Sequence, residues 1–243
     1  MKKIVLALCF IVGFVSAEEI MVLAAASLKF VLEDIKAEFL KNRSNDSIEI
    51  SYIASGKAYN QIINGSPAHF FIAADTSYPQ KLYDEKQTNN KPQNYVKGKL
   101  VLVSYDKSLK LTSLEALKDS KISKIALPNP KLAPYGVAGE ESLKKSKLYD
   151  DIKHKIVLGE SIGQAYQYIK TGASEVGFNA LSMVIKDNNA NYLIVDSSLY
   201  TPILQAMIVT KNGSDSKLTK DFRDYILSKK AQEIFASYGY DMP

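Results

Sequence analysis

Short apolar runs alternate with helical periodicity along most of this chain. Ile20 to Ala25 reads as a buried strand. From Leu28 the pattern turns helical: Leu28, Val31, Leu32, Ile35, Phe39 and Leu40 share one face. Strands are expected over Ile48–Ile53 and His69–Ala74, with a helix beginning near Ala58 between them. Leu100–Ser104 is a strand with no helix before it. Lys124–Leu127 leads through a Pro/Gly loop to a helix over about Gly139–Ser146. Lys155–Leu158 and the helix Ile162–Lys170 follow, then strands at Val176–Phe178, Tyr192–Val195 and Leu204–Thr210. Two amphipathic helices close the chain, and Gly239 is the expected stop of the second.

Strand and helix in alternation predict an α/β fold with parallel sheets. The polar stretch Gln87–Lys97, with Asn89, Asn90, Pro92 and Asn94, reads as a connection between two lobes. Lobe 1 is expected to hold residues 18–98 and a return from about 212 to 243, with the crossing itself between about 195 and 212. Lobe 2 is expected to hold 99–211. In open α/β sheets ligands bind beyond the carboxyl ends of the strands, so function belongs in the strand-to-helix turns.

The first residues change the address. Lys2 and Lys3 precede an apolar run from Ile4 to Val15, and Val15-Ser16-Ala17 supplies small residues for cleavage. This is the order of a secretory signal peptide over 1–17, and the run is shorter than a membrane span. Cleavage after Ala17 leaves a soluble chain without cysteine, since Cys9 departs. The expected location is the bacterial periplasm. The whole chain has 243 residues and a net charge of +5, with only two arginines, Arg43 and Arg223. Its basic residues are spread along the chain, which argues against a nucleic-acid partner.

Four turns share one character: Ala24-Ala25-Ala26-Ser27, Ala54-Ser55-Gly56, Ala133-Pro134-Tyr135-Gly136 and Gly159-Glu160-Ser161-Ile162-Gly163. Each sets small or hydroxyl residues at the start of a helix. Helix N-termini carry unsatisfied N–H donors and partial positive charge. Converged on one point, they would hold an anion without a lysine or arginine. Taken singly, each serine is an ordinary helix cap.

Gly159-Glu160-Ser161-Ile162-Gly163 also matches the G-x-S-x-G nucleophile elbow of serine hydrolases. The elbow needs a histidine base later in the chain, and both histidines, His69 and His154, precede it. Neither histidine has metal-ligand spacing. There is no G-x-G-x-x-G, P-loop or H-E-x-x-H motif. No catalytic residue and no cofactor are therefore assigned.

In order along the chain, several segments carry a family likeness. They are Val22–Leu28, Ala54-Ser55-Gly56 with Gln61-Ile62, Gly65–Ala68 leading to Phe71–Asp75, and Leu100–Val103. Pro128-Asn129-Pro130, Ala133–Gly136, Gly159–Ile162, Val176-Gly177-Phe178 and Pro202-Ile203 complete the set. With them the chain resembles the periplasmic molybdate-binding proteins of ABC transporters. The resemblance implies a two-lobed type II periplasmic binding fold that closes on a tetrahedral oxyanion, molybdate or tungstate. It implies a monomer that passes its ligand to a membrane permease. It implies ligand contacts from Ser27 and Ser55 by hydroxyl and N–H, and from the N–H groups of Tyr135 and Ile162. Some members add a tyrosine just after the Gly-Phe strand. Here that stretch is Phe178-Asn179-Ala180-Leu181-Ser182, so Asn179 or the Tyr135 side chain is the expected substitute. His69 stands where the family carries aspartate, and a local structural change is expected there. Sulfate, phosphate or thiosulfate are alternative ligands; an exported hydrolase using Ser161 and an adaptor that binds a partner protein are the competing classes.

Overall fold

The structure is a computed structural model that describes residues 17–243. The expected signal peptide, apart from its last residue, lies outside the described residues. The first part of the chain forms β1 (Glu19–Ala25), α1 (Lys29–Leu40), β2 (Ser47–Ile53), α2 (Ser55–Ile63), β3 (Phe70–Ile72), α3 (Ser77–Asp84) and β4 (Gln93–Gly98). The middle forms β5 (Leu100–Ser104), β6 (Ile125–Pro128), α4 (Pro134–Lys145), α5 (Tyr149–Ile152), β7 (Ile156–Gly159), α6 (Ile162–Lys170), β8 (Val176–Ala180) and β9 (Asn191–Ile194). The chain then returns as β10 (Ile203–Val209), α7 (Lys217–Ile226) and α8 (Lys229–Ser237). Gly239, at φ +81°, ends that last helix.

The strands build two five-stranded sheets, ordered β2-β1-β3-β10-β4 and β7-β6-β8-β5-β9. Each sheet, with its helices, is one lobe. β1 runs parallel to β2 and β3, and β6 runs parallel to β7 and β8. β10 is antiparallel to β3 and β4, and β5 is antiparallel to β8 and β9. The sheets are therefore mixed, where alternation alone predicts parallel ones. Strand–helix–strand crossovers produce the parallel pairs; β4, β5 and β10 carry the chain between lobes and need no crossover helix.

Two expectations are corrected. β10 pairs in the first sheet, so the return to lobe 1 lies before Ile203, not near 212. A buried apolar run such as Ile203–Val209 fits either sheet, so its pattern does not reveal its lobe. Within the polar stretch 87–97, β4 forms an edge strand whose one neighbour in the sheet is β10. Tyr95 and Val96 are its buried pair; an edge strand needs little more, because its outer side is solvated.

The first sheet is covered on both faces. Val22 and Ala24 of β1 join the main core, while Leu23 between them packs with Ala58, Ile62, Phe71, Leu82 and Ile208. That explains why β1 reads as a continuous apolar run. The lobes are joined at 98–100 and at 200–202. Tyr200 braces the two crossings by accepting a bond from Leu100 N at 3.3 Å. Asp241 fastens the C-terminus to the same place through reciprocal backbone bonds with Lys97 of 2.8 and 3.0 Å.

Candidate functional site

The parallel registers place the four turns. β1 and β2 end together, with Ala25 opposite Ile53, so the Ser27 and Ser55 turns lie side by side. β6 and β7 end together, with Pro128 opposite Gly159, and Asn129 N donates to Gly159 O at 2.7 Å. The two pairs face each other across the lobe boundary. Gly56 N donates to Leu132 O at 3.0 Å, joining the second and third turns. A Cβ at Gly163 would stand 3.5 Å from the Ala26 Cβ, joining the first and fourth. Ser27, Ser55, Tyr135 and Ile162 are thereby brought together and buried, none more than 4% exposed.

Ser27 sits in a short 3-10 turn, Ala26–Leu28, between β1 and α1. Its carbonyl accepts from Ser182 Oγ at 2.9 Å. Its own Oγ is buried and has no partner within the protein. Such a hydroxyl costs about 1–3 kcal/mol unless something bonds it. Ser55 is the first residue of α2, and its Oγ accepts from Ala74 N at 3.0 Å. A hydroxyl that accepts still has its proton to donate. The N–H groups of Ser55, Tyr135 and Ile162 all lie in first turns, where the helix supplies no acceptor. Pro134 opens α4 at the position where a missing N–H costs nothing.

The substitutes expected for the family's tyrosine both have partners within the protein. The Tyr135 hydroxyl is turned to the hinge, where it accepts from Gln205 Nε2 at 3.2 Å. Burial pushes its pKa well above the ordinary tyrosine value, so it stays protonated. Asn179 donates from Nδ2 to Ile162 O at 3.3 Å and accepts from Ala180 N at 2.9 Å. It braces the Ile162 turn from behind. His69 takes a structural place: its Nδ1 accepts the Met21 N–H at 3.1 Å beside β3.

Charge near the turns is spent elsewhere. Glu160 pairs with Lys57 across the lobe boundary, with side chains 68% and 40% exposed. Asp75 accepts from Tyr78 N at 3.2 Å and Ser77 Oγ at 3.2 Å. The positive potential inside comes from the N-termini of α2, α4 and α6. An exposed pair such as Lys57–Glu160 is worth about 0.2–1 kcal/mol. Lys57→Ala should therefore weaken ligand binding by no more than about fivefold. The difference should vanish in high salt, read by titration at two ionic strengths.

Ser161 is a helix cap. Its Oγ accepts from Gln164 N at 3.2 Å, and neither histidine bonds it among the described residues. Ser161→Ala should cost about 0.5–2 kcal/mol of stability by thermal melting and leave binding in place. Among the described residues, no group of three or more His, Cys, Asp or Glu side chains is arranged to hold a metal.

Sequence reasoning missed Tyr95, Ser182, Gln205 and Tyr240, which stand behind the Ser27 turn. No local signal marks them; they meet only through the fold.

Two lobes that bury a ring of backbone and hydroxyl donors at their boundary define a protein that engulfs a small solute. The chain belongs to the bacterial extracellular solute-binding proteins, whose family model matches residues 20–241. It is 36% identical over 230 residues to the molybdate-binding protein ModA of Azotobacter vinelandii, covering 93% of this chain and 91% of that one. It is 33% identical to ModA of Rhodobacter capsulatus, covering 93% and 89%. The solved periplasmic molybdate-binding protein of Azotobacter vinelandii superposes with a TM-score of 0.87 at 30% identity, covering 92% of this chain and 99% of that chain.

Proposed function

We propose that this protein is the periplasmic solute-binding component of an ABC transporter, and that it captures molybdate and delivers it to a membrane permease. The observation that carries the ligand assignment is the buried Ser27 hydroxyl without a partner, set among first-turn N–H groups. Ser27 and Ser55 bind by hydroxyl and N–H, and Tyr135 and Ile162 by N–H. Asn179 supports the Ile162 turn and does not touch the ligand. Tungstate, with the same charge and shape, is accepted as well. The protein acts as a monomer, exported by a cleaved leader, without catalysis or cofactor.

The donor inventory supports a fully deprotonated tetrahedral dianion. Molybdate has no proton at neutral pH and asks only for donors. Hydrogenphosphate brings a proton that needs an acceptor, and the carboxylates of Glu160 and Asp75 are already engaged. Closure removes water, which strengthens each donor's hold on the anion. The closed form is the species a permease recognises.

Calorimetric titration with molybdate, repeated under excess sulfate or phosphate, tests this function. One-to-one binding that survives both competitors is expected. Heat with sulfate or phosphate and none with molybdate would overturn the ligand. Silence with every oxyanion would overturn the transport role.

A further inference from the structure

Behind the Ser27 turn runs a buried chain of uncharged hydrogen bonds. Tyr95 OH donates to Ala73 O at 2.7 Å and stands 2.8 Å from the Gln205 side-chain amide. Gln205 Nε2 donates to Tyr135 OH at 3.2 Å. Tyr240 OH donates to Ser182 Oγ at 3.0 Å, and Ser182 Oγ donates to Ser27 O at 2.9 Å. Tyr240 OH also lies 3.2 Å from Ser27 O, so its one proton is shared between Ser182 Oγ and the Ser27 carbonyl, on which both hydroxyls converge. Gln205, Tyr240 and Ser27 belong to lobe 1; Tyr135 and Ser182 belong to lobe 2. The Gln205–Tyr135, Tyr240–Ser182 and Ser182–Ser27 bonds therefore cross the boundary between the lobes, while the Tyr240–Ser27 bond lies within lobe 1.

We infer that Tyr240 is a positioning residue: it completes a donor chain that forms as the lobes close and holds the Ser27 turn with its Oγ free for the ligand. The inference rests on the oxyanion-binding reading above. Its physical basis is the closed form's lack of water. Tyr240 is 5% exposed and Gln205 is fully buried, so a missing link leaves polar atoms with no replacement. In an open form, water would satisfy the same atoms. The chain thus favours closure, and burial, which pushes the Tyr240 hydroxyl up to about 12, keeps it neutral beside an anion.

The test is Tyr240→Phe, titrated with molybdate and with sulfate beside the wild type. The ring is kept; the Ser182 oxygen loses its partner across the lobe boundary only when the lobes are shut. Affinity should fall about 10- to 100-fold. The factor should be the same for each anion the wild type binds, because closure is common to all of them. The loss should appear as faster dissociation with association nearly unchanged. Ser182→Ala should reproduce it, and the double variant should lose less than the two single losses combined, since both break one chain. Tyr105→Phe, which loses a 2.8 Å bond to Asp187 within lobe 2, should melt lower yet bind as the wild type does. If Tyr240→Phe fails to fold, Ser182→Ala carries the same expectation. Wild-type affinity in Tyr240→Phe, or a fall matched by Tyr105→Phe, overturns the positioning role and leaves the oxyanion reading intact. A change in anion preference also overturns it. No binding of either anion by the wild type overturns both.

Discussion

Ser55→Asp is expected to abolish oxyanion binding while the protein stays folded. The two effects separate because they come from different terms. An acidic residue at the start of α2 meets the positive end of the helix, where a carboxylate is stabilising. Its oxygen can still accept from Ala74 N, as Ser55 Oγ does at 3.0 Å. The bound anion, however, would face a fixed negative charge at contact distance. At 4 Å and an effective dielectric of 20, two unit charges repel by about 4 kcal/mol, and the ligand carries two. Affinity should fall at least about 1,000-fold. Ser55→Ala removes one charge-assisted donor and should lose about tenfold or somewhat more. Calorimetry gives the affinities, and a melting curve near that of the wild type shows that the fold survived. Retained binding in Ser55→Asp would remove the second turn from the site.

The second large effect is expected from Gly136→Ala. α4 begins against the end of β6, and an added Cβ at Gly136 would stand 2.1 Å from Pro128 O and 2.8 Å from the Pro128 carbonyl carbon. Those are backbone atoms, so no side chain can rotate away. The first turn of α4 must move, and the Tyr135 N–H moves with it. Overpacking of this kind costs about 1–3 kcal/mol and sometimes more. In a chain of this size that lowers the melting temperature by on the order of 5–10 °C. Binding should weaken at least about tenfold, because one donor leaves the ring and the lobes no longer close squarely. A variant that melts and binds as the wild type does would show that the third turn tolerates displacement.

The turns were legible because they are local. β1, β2, β6 and β7 announce themselves as apolar runs, and serine, proline and glycine mark the helix starts that follow. That suffices to mark the four turns with Ser27 and Ser55; Tyr135 and Ile162 were named within them by the family resemblance. Contacts between residues far apart in the chain were not legible. Tyr240 reaches the Ser27 carbonyl across 213 residues of sequence, and Gln205 reaches Tyr135 across 70. Nothing near either residue carries that information. The lobe of β10 was hidden for a related reason: a strand buried on both faces has the same composition in either sheet. α3 was missed because its eight residues include Pro79, which the first turn of a helix tolerates but which reads as a break. Asn179 was named as the stand-in for the family's tyrosine just after the expected strand Val176–Phe178, and it lies within β8. It stands next to the Ile162 turn, with its amide donating to the Ile162 carbonyl.

The central claim is that four helix-starting turns hold a molybdate dianion between the lobes. The most direct measurement is a crystal structure of the protein with molybdate, collected at the molybdenum absorption edge. One anomalous peak is expected, enclosed by Ser27 Oγ, Ser55 Oγ and the N–H groups of Ser55, Tyr135 and Ile162. A peak elsewhere, or bound molybdate that leaves the Ser27 hydroxyl without a partner, would contradict the account.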